Sequence, residues 1–521
     1  MTYALPSRSK SQVVALCLSV ATLLYARQIA MWAAPRNRFY THWQRTDTLV
    51  LGVSLLGMAL LLYLVASILG RVFRNGRVLR WLTIILLADI LIGYAGAGRA
   101  SRHVAAFTAA WAGLAGIGLY AASRPGSRLL HWGTTILAAL AWLAPILLLQ
   151  MLLWKPWDVR PTIEGSAPRQ TTGTRIPVFL FLFDEWSFQR SYDHNQLQPF
   201  FRNLRKLASH SLEFTDAHSL AGSTNPSIPR FIFQRDGVLI PKNGVALWKE
   251  GDTTMPSAKL PSIFSAAGAR GYHTSLIGFY FPYRAILGDQ VDYIVHQSYE
   301  PTGRRWGQRL LLFSAWNLYF LADPASQLLW KTWNTPRVSE NWVYINQAWR
   351  GFVRDLVRGS DANTFAMVHW TLPHGPFVLN EDGSYRGPFK VSRVEGTPED
   401  YRRHLAFLDR VLGEAVAELD SAGLLDRALV IVTSDHSWKT ETDSALWSAP
   451  EARTWVPLIV KLPHQTRGLR VPERFCLGQL GALLQRVMDT TLTERSAAEA
   501  VRTLPSSSPC IPPRVRHRRH R

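Results

Sequence analysis

The stretch "ALVIVTSDHSW" (residues 428–438) decides the fold. Its β-branched run, Val430 to Val432, has the length and composition of a buried strand. At the carboxyl end it delivers a carboxylate, Asp435, and an imidazole, His436. Open α/β sheets place their sites at that end of their strands. An acid beside an imidazole is half of a shell for a divalent cation. A second run of the same kind, "IPVFLFLFDEW" (176–186), ends in Asp184 and Glu185. Two strands tipped with carboxylates point to an enzyme.

Strand and helix signals alternate along the rest of this region. Strands are expected at 177–184, from Tyr272 to Gly278, from Thr364 to Trp370 and at 428–433, with a helical stretch near 197–208. The clearest helix is "PEDYRRHLAFLDRVLGEAVAELDSAG" (398–423), with Leu405, Leu408, Val411, Leu412, Ala415, Val416 and Leu419 at helical spacing. Gly423 suits its C-terminal cap. Such alternation implies a sheet covered on both faces.

The first 154 residues differ in kind. Apolar runs near 12–34, 48–69, 79–98, 103–122 and 130–153 reach the ~20 residues needed to cross a bilayer. With the N-terminus inside, Arg8, Lys10, Arg71, Arg74, Arg77, Arg80, Arg124 and Arg128 fall on the inner side. Arg36, Arg38, Arg45, Arg99 and Arg102 fall outside, so the bias favours this orientation and an extracytoplasmic C-terminal domain. The expected architecture is a transmembrane bundle of about five helices (1–154), a linker (155–175) and a catalytic α/β domain (176–490). A basic tail (491–521), ending "RVRHRRHR", is expected to be disordered.

The net charge of +21 does not imply nucleic-acid binding, because much of it flanks the apolar runs and no nucleic-acid motif accompanies it. Anionic membrane lipid headgroups are the expected partner. Within 306–349, Trp306, Trp316, Trp330, Trp333, Trp342 and Trp349 form either a subdomain core or a segment resting on a membrane surface. Cys476 and Cys510 can form a disulfide in an oxidising compartment or remain two thiols. The apolar runs hold few charges beyond Asp89, which disfavours a transporter.

In "AGSTNPSIPRFIF" (221–233), a loop runs into a helix start, with Pro226 in the first turn. There, Thr224 is placed either to receive a phosphoryl or sulfuryl group or, like Ser223, merely to cap the helix.

Taken in order, Asp184, Thr224 within "STNPSIP", "PHGP" (373–376), "YRRHLAFLDRVLG" (401–413), "VIVTSDH" (430–436) and "VPLIVKLP" (456–463) resemble the alkaline phosphatase/sulfatase superfamily. With the preceding spans, the chain is similar to the lipid A phosphoethanolamine transferases within it. The resemblance implies metal ligation by Asp184, Asp435 and His436, with Thr224 as nucleophile and additional ligand. Glu185 becomes a further ligand or a solvent contact at the strand end. His374 and His369 would bind the substrate oxyanion or protonate the leaving group. Zn2+ suits this set best, and Mn2+, Ca2+ and Mg2+ are compatible.

Departures matter too. The family's Cys/Ser nucleophile motif is replaced by Thr224, so formylglycine chemistry is unavailable. The stretch Gly278 to Phe281 lacks the cations that grip sulfate in classical sulfatases. Ser437 follows His436 where a glycine is usual, and Trp455 stands where some relatives carry a histidine, which disfavours a second metal. The implied activity is transfer of a phospho-headgroup to an extracytoplasmic acceptor. The alternatives are a phosphodiesterase or sulfuric ester hydrolase on the same fold, and a non-catalytic binding relative.

Overall fold

The computed structural model describes residues 10–33, 45–72, scattered positions between 135 and 149, 163–165, 175–242, 245–297, the single positions 307, 310, 314 and 446, 335–386, 396–439 and 451–489. The chain divides into two compact units, Met1–Asp158 with Glu300–Arg337, and Val159–Tyr299 with Val338–Arg521.

In the first unit, α1 (Lys10–Ala33) packs on α2 (Arg45–Val72) through Val20, Ala21, Leu24 and Tyr25 against Val50, Leu51, Leu55 and Met58. Ser19 and Thr22 donate to the carbonyls four residues back, so their hydroxyls are satisfied within the helix. Among the described residues one helix, Asp47–Leu69, is long and apolar enough to cross a membrane, and Leu56, Leu60 and Leu64 lie exposed along it. The expected spans 79–98 and 103–122, the tail, and Cys510 lie outside the described residues; 130–153 is described only at scattered positions.

The second unit is built on a nine-stranded mixed sheet. In chain order the strands are β1 (Ile163–Gly165), β2 (Val178–Asp184), β3 (Leu212–Phe214), β4 (His273–Phe279), β5 (Tyr293–Gln297), β6 (Thr364–Pro373), β7 (Leu429–Ser434), β8 (Leu458–Lys461) and β9 (Leu469–Val471). They lie in the order β1-β5-β4-β6-β2-β7-β8-β3-β9, with β5 through β7 parallel. β1 corrects the expected linker: three of its residues add an antiparallel edge strand to β5.

β2 is buried along its whole length because helices cover both faces of the parallel core. Phe179, Phe181 and Phe183 face a cluster that includes α6 (Thr335–Gly359) and α7 (Pro398–Ser421), so Leu180, Leu182 and Asp184 face the other way. Between β2 and β4 lie α3 (Arg202–Ala208), α4 (Thr224–Phe233) and α5 (Ile263–Gly268). α3 is shorter than the sequence suggests. Gln196–Leu197 pairs instead with Tyr192–Asp193, and Pro199 separates that hairpin from the helix.

α6 resolves part of the aromatic segment. Trp342 and Trp349 share a face with Val353 and are buried in the core of the second unit. Arg350 forks onto Glu414 at 2.7 and 2.6 Å, tying α6 to α7. α7 begins with a reciprocal capping box between Thr397 and Asp400, and Gly423 follows it at φ +66°, as a C-terminal stop requires. Cys476 is disulfide-bonded and Cys17 is free.

Candidate active site

Sheet register assembles the site. Ser434 of β7 lies opposite Phe183 of β2, which sets Asp435 beside Asp184. The Asp435 amide donates to the Phe183 carbonyl at 3.0 Å, and the Glu185 amide donates to Asp435 Oδ1 at 3.1 Å. On the other side of β2, His369 of β6 pairs with Leu182 and therefore shares the face of Asp184. Asp184, His369 and Asp435 each offer a ligand atom, all within 4.8 Å of one another. Gly278 of β4 lies opposite His369, and a Cβ there would meet the Tyr283 ring at 2.1 Å. The missing side chain leaves room for Tyr283, whose hydroxyl sits 2.8 Å from His369 Nδ1.

Thr224 is the first residue of α4, and its neighbour Ser223 makes no side-chain cap. The capping reading fails for both. Thr224 Oγ1 instead lies 3.3 Å from Asp184 Oδ1 and 3.1 Å from His436 Nε2. His436 Nδ1 sits 2.7 Å from the Ser437 carbonyl, which can only accept. In the neutral ring the proton is therefore on Nδ1, and Nε2 presents a lone pair to the Thr224 hydroxyl. The same Nε2 is 3.5 Å from Asp184 Oδ1 and 3.5 Å from Asp435 Oδ2.

The helix singled out in the sequence supports this arrangement from behind. Tyr401 of α7 donates to the Glu185 carbonyl and accepts from the Ser187 amide at 2.8 Å, fixing the turn after β2. Its ring stacks on Trp438 at 4.3 Å, fixing the chain just beyond His436. One turn on, His404 Nδ1 meets the Pro373 carbonyl and its Nε2 accepts from the Leu379 amide, each at 3.2 Å. That clamp holds the loop carrying His374.

Glu185 is not the solvent contact the strand end suggested. It is buried in a left-handed turn (φ +67°), 3.1 Å from Lys439 Nζ and 3.8 Å from His374 Nε2. Two residues escaped the sequence reading: Lys439, three positions after His436, and Tyr283, whose only sequence signal was the small residue opposite it at 278. His218, expected to be structural, is buried and bonded to Asp216 and Thr454. Trp455 stacks on Phe188 at 4.7 Å, a packing role.

Burial discharges the central groups. It pushes the Asp435 carboxyl up to about 7. It also raises Asp184 to about 6, with the Asp435 charge adding to the effect. It lowers His369 to about 3 and His436 to about 4. Burial works against charge on His374, yet Glu185 and Asp184 outweigh it and raise this imidazole above its ordinary value. Two buried atoms, Asp435 Oδ2 and His369 Nε2, have no hydrogen-bond partner. Unpaired polar atoms in a mixed oxygen and nitrogen set are what a Zn2+ or Mn2+ ion would satisfy. The residues fit such an ion.

A family model described as sulfatase matches residues 178–475, more than half of the chain. The chain belongs to the sulfatase family. It is thereby an enzyme of the alkaline phosphatase superfamily, whose members use a divalent metal. No relative is found among curated proteins. Among solved structures, Ps i-CgsB is 14% identical with a TM-score of 0.43, over 62% of this chain and 74% of its own. An alkaline phosphatase superfamily protein of Vibrio parahaemolyticus is 17% identical with a TM-score of 0.36, over 65% and 75%. A phosphonate monoester hydrolase of Agrobacterium radiobacter is 15% identical with a TM-score of 0.35, over 61% and 74%. The family assignment rests on the family model.

Metal binding at this sulfatase-family site is coupled to protons. Asp184 and Asp435 carry protons in the metal-free protein well above the usual carboxylate range, whereas His369 and His436 are already neutral. Metal affinity is therefore expected to climb with pH up to about 7 and to flatten above it, with protons released on the acid side. Competition against a chromophoric chelator across pH measures this. Constant affinity down to the ordinary carboxylate range would contradict it.

Proposed function

We propose that this protein is a membrane-anchored, metal-dependent transferase. It moves a phospho-headgroup, such as phosphoethanolamine or phosphoglycerol, from a lipid to an extracytoplasmic acceptor through a covalent Thr224 ester. The observation that carries this reading is the position of Thr224 Oγ1, 3.1 Å from a lone pair on His436 and 3.3 Å from Asp184.

Asp184, Asp435 and His436 of the ligand set expected from sequence, which also named Thr224 and Glu185, would hold the ion together with His369. When bound, the ion supplies positive charge that lowers the Thr224 pKa and neutralises charge on the transferred group. Thr224 releases its proton to solvent and its oxygen bonds to phosphorus, while the bond from phosphorus to the lipid oxygen breaks. His374, whose acid form Glu185 favours, gives its proton to the departing oxygen. An acceptor hydroxyl or amine then attacks phosphorus and loses its proton to the now neutral His374, while the bond from phosphorus to the Thr224 oxygen breaks and that oxygen takes a proton from solvent.

The apolar helix Asp47–Leu69 supports membrane attachment, which would hold the site and a lipid donor at one surface. The family match keeps a second reading in play, in which water is the acceptor and the enzyme is a phosphodiesterase or sulfuric ester hydrolase. Mass spectrometry of envelope lipids and glycans from cells with and without the gene separates the two. A headgroup that appears on an acceptor only when the gene is present supports transfer. Release of a free headgroup or sulfate, with no modified acceptor, overturns it in favour of hydrolysis.

A further inference from the structure

His369 lies within a ten-residue strand, and an imidazole there ligates a cation only if it presents a lone pair. Its Nε2 has no hydrogen-bond partner among the described residues, so the surroundings of Nδ1 decide which nitrogen carries the proton. Two groups meet Nδ1. The ring donates to the Phe279 carbonyl, which can only accept, and with Nε2 unpartnered the donating atom is Nδ1. The Tyr283 hydroxyl lies 2.8 Å from the same atom. One N–H shared between a carbonyl and a hydroxyl oxygen is a three-centre bond, and it leaves a lone pair on Nε2. The phenol is fixed in this place. Tyr283 opens the short helix Tyr283–Leu287, is fully buried, and its amide donates to the Phe281 carbonyl at 2.9 Å. Its ring stands edge-on to His369 and His296, with centroids 6.4 and 6.2 Å away. It fills the space that a side chain at Gly278 would take, so the glycine of β4 and the tyrosine form one device.

We propose that Tyr283 is a positioning residue for the metal, accepting from His369 Nδ1 and so holding Nε2 as a nitrogen ligand beside Asp184 and Asp435. The consequence is selectivity. Together with His436, a second imidazole makes a set of two nitrogens and two carboxylates, which favours Zn2+ over the hard cations Ca2+ and Mg2+. Were the phenol the donor, Nε2 would carry the proton and could not ligate. This rests on the ligand set given under Proposed function and is independent of the chemistry at Thr224.

The test strips the full-length protein of metal in detergent and titrates Zn2+ and Ca2+ against chromophoric chelators. Tyr283→Phe keeps the ring and removes only the oxygen. It is expected to weaken Zn2+ binding about ten- to a hundredfold, the usual effect of losing an outer partner of a ligating histidine. The ratio of Zn2+ to Ca2+ affinity should fall with it. His369→Ala should weaken Zn2+ binding at least as much, and adding Tyr283→Phe to that variant should cost nothing more. In the Co2+-loaded protein, Tyr283→Phe should shift the ligand-field absorption bands, which a loss of packing away from the ion would leave in place. Wild-type or tighter Zn2+ binding in Tyr283→Phe, or the same further loss in the His369→Ala background, would each overturn the proposal. If His369→Ala bound Zn2+ like the wild type while Asp435→Asn did not, His369 would leave the ligand set and the proposal would fall, with the metal site standing on its other residues. A wild type that binds no Zn2+ would end the metal reading and this proposal together. Trapping of an adduct on Thr224 in metal-saturated protein is scored separately, so transfer through Thr224 and the role of Tyr283 can fail one without the other.

Discussion

Replacing Thr224 by alanine is expected to lower turnover by on the order of 10^3-fold or more, with fold and bound metal retained. The size follows from the role: without the hydroxyl there is no covalent ester to divide the reaction into two easier steps. Retention of the fold follows from what the side chain does not do. It caps no helix, and its polar contacts, to Asp184, His436 and Asp435, reach groups that a metal would satisfy. Net loss of such hydrogen bonds costs only about 0.5–1.5 kcal/mol each. Asp184, Asp435, His436 and His369 remain to hold the ion, so metal content by mass spectrometry should change little. Quenching the wild type during turnover should give a phosphoryl or sulfuryl adduct on Thr224, absent from the variant. A label on Ser223 or Ser227 would reassign the nucleophile. Ser227 is the weaker candidate, since its hydroxyl is already donated to the Asp435 carbonyl. An alanine variant with unchanged turnover would end the covalent proposal.

The parts of the site that were legible in the sequence are those whose signal is local. An apolar run closed by an acid reads as a strand ending at a site, and the chain had two, ending at Asp184 and Asp435. His369 was harder because its role depends on register. It lies inside a ten-residue strand, and only its pairing opposite Leu182 puts it on the face of Asp184. Thr224 carried two local meanings, cap or acceptor, and only the tertiary fold reveals that its hydroxyl lies beside Asp184 and His436. The misplaced start of α3 has a similar cause. No residue ahead of Arg202 caps that helix; Asp409 of α7 does so from a distance of about 200 residues, accepting from the amides of Asn203 at 3.1 Å and Leu204 at 2.7 Å. The same helix supplies Tyr401 and His404, so the motif "YRRHLAFLD" is a set of braces for three different loops. Lys439 was missed because a lysine in a loop looks like any solvated lysine until its carboxylate partner is placed.

Asp435→Asn should abolish metal binding and activity while raising the stability of the metal-free protein. The Asp435 carboxyl titrates near 3.8 when unfolded and near 7 when folded, chiefly because burial disfavours its charge. Between those values the folded state holds a proton that the unfolded state has lost, so stability falls as pH rises from about 4 to about 7. Above that range the penalty is complete, roughly 2–4 kcal/mol. Asparagine keeps the oxygen that accepts from the Glu185 amide and removes the charge. It also relieves Asp184, whose carboxyl is raised in part by Asp435. In chelator at pH ~8, the variant should therefore melt a few degrees above wild type. At pH ~4 the two should melt together, because neither then carries the buried charge. Adding Zn2+ should reverse the order at the higher pH, since only the wild type recovers stability from the ion. Thermal melts at both pH values, with and without metal, test all three arms. A variant less stable than wild type in chelator at pH ~8 would mean that Asp435 is held by contacts other than a cation, and the metal assignment would fail with it.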